Sequence, residues 1–196
     1  MARAARAKKV TWVGFWVNVV LSVAKIIAGI VGRSGAMIAD GVHSISDFVT
    51  DIIVIVFIGV SAKGENTRFR YGHGKFETFA TMLISFALFA VAVGLFWTSF
   101  SQIVDALNGK VLPRPEMVAL VMAFVSVVAK EWLFHYTRVA GEQMNSMALV
   151  ANAWHHRSDA FSSIAVLVGI GCAMFLGERW RVLDPIAAAT VSVFIA

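Results

Sequence analysis

The sequence predicts an all-α membrane protein, a bundle of six transmembrane helices. Hydrophobic residues make up 59% of the 196 residues and charged residues only 15%, whereas a soluble domain usually carries about a quarter charged residues. The hydrophobic residues are grouped into long runs, and a membrane-spanning helix needs about 20 mostly apolar residues. Composition and run length together predict an integral, multi-pass membrane protein.

Five of these runs are long enough to cross a bilayer, and a sixth is shorter. The sixth would rise about 22 Å, less than the hydrocarbon core of about 30 Å, so we expect it to be cut by the end of this sequence. The whole chain, 1–196, is then one transmembrane domain. Its predicted helices cover 10–31, 36–62, 76–107, 115–135, 147–176 and 182–196.

The helix boundaries carry residues that commonly end or begin helices. Gly32 follows the first run, Gly109 the third and Gly177 the fifth, and glycine is the usual residue just past a helix end. Asp184 and Pro185 open the sixth run, where aspartate can cap a helix and proline is tolerated in the first turn. The boundaries thus support the division into six helices.

Basic residues are unequally distributed between the two sides of the predicted membrane. Nine lysines and arginines lie on the side of the N-terminus and five on the other, and the richer side is normally cytoplasmic. We therefore expect a cytoplasmic N-terminus and attribute the net charge of +5 to topology, since no basic platform with interleaved aromatics predicts nucleic acid as a partner. The nine are Arg3, Arg6, Lys8, Lys9, Lys63, Arg68, Arg70, Lys75 and Arg138; the five are Arg33, Lys110, Arg114, Arg179 and Arg181.

The second helix carries four polar residues that lipid should not tolerate. Asp40, His43, Asp47 and Asp51 are separated by three, four and four residues, so at about 100° per residue they share one narrow stripe. A charged side chain at mid-bilayer costs roughly 2.5–3.5 kcal/mol on insertion scales, so it needs a partner or a function.

The fifth helix repeats this arrangement. Asn152, His155, Asp159 and Ser163 have the same spacing, and His155 follows His43 by 112 residues. Three crossings separate the two helices, so they should be antiparallel. Transporters commonly place an ion site between such inverted repeats near the midplane of the membrane.

The two His-x-x-x-Asp pairs have the chemistry of a metal site. Residues at i and i+4 lie about 6 Å apart on one helix face, so two facing pairs would offer two imidazoles and two carboxylates. That tetrahedral set suits Zn²⁺, although Fe²⁺, Mn²⁺, Co²⁺ and Cd²⁺ stay open because affinity alone does not select among them. The alternative is that the carboxylates only form ion pairs inside the bundle, with Lys25, Lys130 and Arg157 as partners.

These motifs resemble those of the cation diffusion facilitator family. The resemblance covers the whole chain, including the order of six spans, and is carried by residues 39–47, by Tyr71-Gly72-His73-Gly74-Lys75 and by 154–159. It implies a proton-coupled exporter of zinc or similar ions, which are transported substrates and not cofactors. The metal ligands that it implies are His43, Asp47, His155 and Asp159.

The resemblance also implies a homodimer and a cytoplasmic C-terminal domain, and we expect that domain to be absent from this chain. Some members bind a further metal in the loop between the second and third helices. Here only His73 of that pattern is kept, with Asn66 and Phe69 near the other positions, so a full loop site is not expected. Histidine at position 43, where some members have aspartate, implies a preference for zinc over cadmium.

The remaining polar residues leave several roles open. Asp51 could relay protons, bind an entering ion, or pair with Lys25 or Lys130; Asp40, Asn152 and Ser163 could support the ligands or be ordinary helix-end residues. His156 should point about 100° away from His155. A metalloenzyme is not expected, since there are only five histidines and no His-Glu-x-x-His motif. A channel or a non-transporting metal-binding module stays an alternative, and the short basic N-terminus favours a bacterial inner membrane.

Overall fold

The computed structural model describes residues 2–46 and 74–195, and helices dominate both stretches. The six-helix, all-α membrane fold predicted from the sequence is confirmed. Within these two stretches, four helices are long and apolar enough to cross a membrane, over Lys9–Val31, Ser85–Leu107, Met117–Gln143 and Leu149–Phe175. The helices are α1 (Ala2–Val31), α2 (35–46 within the described residues), α3 (Gly74–Leu107), α4 (Met117–Gln143), α5 (Met147–Phe175) and α6 (Leu183–Ile195), with a 3₁₀ turn at Glu178–Val182 before α6.

Two of the described helices, α1 and α4, extend more than one turn beyond their predicted bounds. The first begins at Ala2 and not near residue 10, and α4 continues to Gln143, past the predicted end at 135. The added turns of α4 have packing partners, because Ala140 lies in a buried cluster with Val10, Met144 and Leu149. Arg138, predicted in a loop, lies within α4 and pairs with Glu142, one turn further along.

Three of the connections between helices meet at one end of the bundle, which we call the turn end. The amide of Glu116, just before α4, donates to the carbonyl of Gly32 at the end of α1 (2.8 Å). The amide of Gly35, which begins α2, donates to the carboxylate of Asp184 in α6 (2.8 Å). Successive helices therefore cross in alternate directions, and α2 and α5 are antiparallel as predicted.

Asp184 serves α2 and not its own helix. Its carboxylate accepts hydrogen bonds from the Ser34 hydroxyl and the Gly35 amide, while the Ser34 hydroxyl accepts from the amide of Met37 (3.1 Å). The first amides of a helix lack intrahelical partners and favour negative charge. The prediction that Asp184 caps the sixth helix is therefore replaced by a contact that joins α6 to α2.

Close packing of α1 on α2 depends on two glycines. A Cβ on Gly29 would lie 2.7 Å from Cγ1 of Ile38 and 2.8 Å from its backbone nitrogen, and a Cβ on Gly41 would lie 2.7 Å from Cγ1 of Ile26. Small residues let membrane helices approach this closely. The approach brings the next residue on the same face of α1, Lys25, against α2.

The described part of α3 exposes a long aromatic surface. Phe86, Phe89, Trp97 and Phe100 are each at least half exposed. In a membrane such a surface faces lipid chains or the apolar surface of another protein.

Candidate metal-transport site

A buried lysine of α1 organises the polar residues between α1, α2 and α5. The Nζ atom of Lys25 lies 2.8 Å from a carboxylate oxygen of Asp40, and both side chains are 1% exposed. The same ammonium donates to the hydroxyls of Ser44 (3.1 Å) and Ser163 (3.2 Å). Three partners thus surround a charge that would otherwise be costly inside a membrane.

The polar stripes of α2 and α5 meet at this lysine. The Ser163 hydroxyl lies 3.2 and 3.3 Å from the two carboxylate oxygens of Asp40, and its oxygen lies 3.4 Å from that of Ser126 on α4. Asp40 precedes His43 by about one turn of α2, and Ser163 follows Asp159 by about one turn of antiparallel α5. The contact therefore lies on the turn-end side of His43 and Asp159.

Asp159 is buried and paired with a lysine of α4. The Nζ atom of Lys130 lies 2.7 Å from Oδ2 of Asp159, and the two side chains are 3% and 8% exposed. The Nε2 atom of His155 lies 3.9 Å from Oδ1 of the same carboxylate, while the His155 side chain is 46% exposed. The ion-pair alternative thus describes Asp159 in this structure, as it does Asp40.

The structure describes only some of the other predicted site residues. His43 is half-buried on α2, whereas Asp47, Asp51 and His73 lie outside the described residues. Among residues 2–46 and 74–195, no group of three or more histidine, cysteine, aspartate or glutamate side chains could hold a metal ion. The four-ligand site, which includes Asp47, stays a prediction.

The neighbours of His155 point in different directions. His156 is buried, 3% exposed, and its Nε2 atom lies 3.5 Å from the side-chain nitrogen of Asn152. A Cβ on Gly14 of α1 would lie 3.7 Å from that Nε2 atom, so His156 faces α1. The guanidinium of Arg157 lies over the Phe134 ring at 4.7 Å, a cation–π contact. Whether Arg157 also pairs with a carboxylate, as the ion-pair alternative offers, stays open, since Asp47 and Asp51 lie outside the described residues.

Ser44 and Ser126 belong to the buried network although neither was predicted as a site residue. A signal for Ser126 was present in the spacing, because it precedes Lys130 by four residues on α4. The same rule groups Ser22 and Lys25 on one face of α1, and both are buried. A search for polar residues three or four positions apart in an apolar helix would therefore have identified Ser44 and Ser126.

Comparison with known proteins gives one family. The family model of the cation efflux transmembrane domain matches residues 11–196. Mitochondrial metal transporter 1 of Saccharomyces cerevisiae is 33% identical over 95% of this chain and 40% of its own length. The manganese efflux system protein of Bacillus subtilis is 34% identical over 96% of this chain and 63% of its own length.

A plant relative agrees with these. Metal tolerance protein C1 of Arabidopsis thaliana is 36% identical over 96% of this chain and 42% of its own length. This chain therefore spans between 40% and 63% of the length of the three relatives.

Proposed function

Because the chain belongs to the cation diffusion facilitator, or cation efflux, family, we propose that residues 1–196 form the transmembrane domain of an exporter of divalent metal ions. Families of this kind comprise transporters and not enzymes, and this confirms the expectation that the chain is not an enzyme. The proposed cargo is Zn²⁺, held by His43, Asp47, His155 and Asp159 and exchanged for protons.

The contact between Asp40 and Ser163 carries this proposal. It joins the stripe of α2 to the stripe of α5, and each stripe continues from that contact to a His-x-x-x-Asp pair. In antiparallel helices the two pairs then extend in the same direction, away from the turn end. Ionisable residues inside membrane bundles commonly mark ion pathways, and transporters place their ion sites between repeated helices.

Zinc is proposed because two imidazoles and two carboxylates suit its tetrahedral coordination. Manganese has a separate argument, since the bacterial relative is named as a manganese efflux protein. Iron, cobalt and cadmium use overlapping ligands, so transport of these ions by the same mechanism is the second candidate function.

Charge balance supports the proton exchange. Two ionised aspartates with two protonated histidines are neutral, and so are two aspartates and two neutral histidines around a divalent ion. Histidine must be neutral to bind a metal, so metal and protons compete for the same nitrogens. In the proposed cycle metal binds from the cytoplasm and protons replace it from the other side.

The proposed surroundings of the site follow from the same stripes. Asp40, Asn152 and Ser163 would orient the ligands, and Asp51 would relay protons or receive the entering ion. His73 would contribute at most a weak loop site. These roles would appear as changes in metal affinity or pH dependence when each residue is substituted singly.

We further propose a homodimer in a bacterial inner membrane. A second copy of the chain could pack against the exposed aromatic surface of α3 in place of lipid. Relatives include mitochondrial and bacterial proteins, so membership of the family does not decide which membrane holds the protein. Cross-linking in native membranes and membrane fractionation test the two proposals separately.

Zn²⁺ flux into proteoliposomes, measured with and without an imposed pH gradient, tests the transport proposal. We expect flux that accelerates when protons can move opposite to the metal. Flux that ignores the gradient would overturn proton coupling. Zn²⁺ binding without any flux would instead favour a metal-binding module that does not transport.

A further inference from the structure

Asp159 has a positively charged partner on the neighbouring helix α4. Lys130 reaches it from α4 at 2.7 Å, and both side chains are almost fully buried. A buried carboxylate without a partner is strongly unfavourable. The lysine therefore stabilises the ionised carboxylate of a residue that we propose as a metal ligand.

An ammonium and a divalent ion compete for one carboxylate. The oxygen that accepts the Lys130 hydrogen bond is Oδ2, and the other oxygen lies nearest to His155. A metal ion at Asp159 would either displace the ammonium or bind within a few ångströms of its charge. At that distance two positive charges repel each other strongly, because the interior of the bundle screens them less than water does.

Lys130 differs in this respect from Lys25. Lys25 has a carboxylate and two hydroxyls around its ammonium, none of them on a proposed ligand. The hydrogen bond that the structure gives Lys130 goes to Asp159 alone within the described residues. One turn away on α4, the hydroxyl of Ser126 offers another polar contact, and the lysine side chain is long and flexible enough to turn toward it.

We propose that Lys130 is a built-in competitor for metal at Asp159, a residue that sets metal affinity without binding the metal. This inference rests on the proposed function, because it takes Asp159 as a ligand. The lysine pairs with the Asp159 carboxylate and leaves it when the ion arrives. It then opposes tight retention of the ion, which favours release.

Zn²⁺ titration calorimetry on the full chain in detergent, at one pH and ionic strength, tests this. Lys130→Met should bind Zn²⁺ at least tenfold more tightly than wild type, and Lys130→Arg, which keeps the charge, within about threefold of it. Lys110→Met is the control, since it removes an exposed lysine that pairs with Asp105 and should leave Zn²⁺ binding unchanged. A purely structural role for Lys130 would weaken binding in the Met variant and not strengthen it.

In proteoliposomes the Met variant should show a lower KM for Zn²⁺ together with a lower kcat. Lys130→Gln, which is neutral but still able to donate to Asp159, decides the question if the Met variant does not fold. Unchanged or weaker Zn²⁺ binding in a folded, neutral variant would overturn the inference while leaving the proposed function intact. Absence of Zn²⁺ binding by wild type would instead overturn the proposed function and this inference with it.

Discussion

Lys25 of α1 and Asp40 of α2 form an ion pair of 2.8 Å in the interior of the bundle. Both members of the pair also contact the hydroxyl of Ser163 on α5, so the pair links three helices. It lies between the turn end and His43. In the proposed transporter, an ion that leaves the site toward the turn end must pass this network or move it.

Lys25→Met should destabilise the protein by about 3–5 kcal/mol, because it leaves the Asp40 carboxylate buried without its cation. Unfolding of the purified protein in detergent measures the loss. Lys25→Met combined with Asp40→Leu should recover part of it, since neither charge then remains.

Lys110→Met is the control for that measurement. Lys110 also forms a lysine–aspartate pair, with Asp105 at 2.9 Å, but its side chain is 69% exposed. Exposed pairs contribute about 0–1 kcal/mol. Equal losses in the Lys25 and Lys110 variants would contradict the importance assigned to the buried pair.

Gly29→Ala should cost about 1–3 kcal/mol of stability, because the new methyl group would meet the backbone of Ile38 at 2.8 Å. Gly94→Ala is the matched substitution in α3, where nothing lies within 4 Å of the added Cβ. It should be neutral or stabilising by up to about 1 kcal/mol, since alanine favours helix over glycine. Thermal unfolding of the two variants side by side checks the difference, and similar melting temperatures would argue against close α1–α2 packing.

Asp159→Ala should abolish zinc transport and the zinc tolerance of cells that depend on it, because a metal ligand is removed. Asp159→Asn keeps the shape of the side chain and should fail in the same way. His73→Ala, which removes one residue of an incomplete loop motif, should have a mild effect. Zinc flux in proteoliposomes and growth on zinc measure the three variants, and full transport by a folded Asp159 variant would refute the ligand assignment.

His43→Asp should broaden transport toward cadmium. The change replaces an imidazole with a carboxylate and alters a donor set that suits zinc. Competition between Zn²⁺ and Cd²⁺ for uptake into proteoliposomes measures the selectivity. An unchanged ratio of the two ions would count against the role of position 43 in metal choice.

Helix ends were less predictable than helix number. Apolar runs identify spans because the lipid core requires them, and the predicted starts of the third and fifth helices lie within two residues of those observed, Gly74 and Met147. The end of α4 could not be read from hydropathy, since residues up to Gln143 are largely polar. Contact of that extension with Val10 of α1 and Leu149 of α5 stabilises it.

The sequence by itself determined the membrane class, the six helices, the antiparallel relation of α2 and α5 and the polar stripe on each. These follow from local composition and from a helical period that needs no partner. Only the tertiary structure decided that Lys25 takes Asp40, that Lys130 takes Asp159, and that His156 is buried while His155 is half exposed. Those outcomes depend on how far each helix is rotated against its neighbours, and contacts between residues distant in the chain set that rotation.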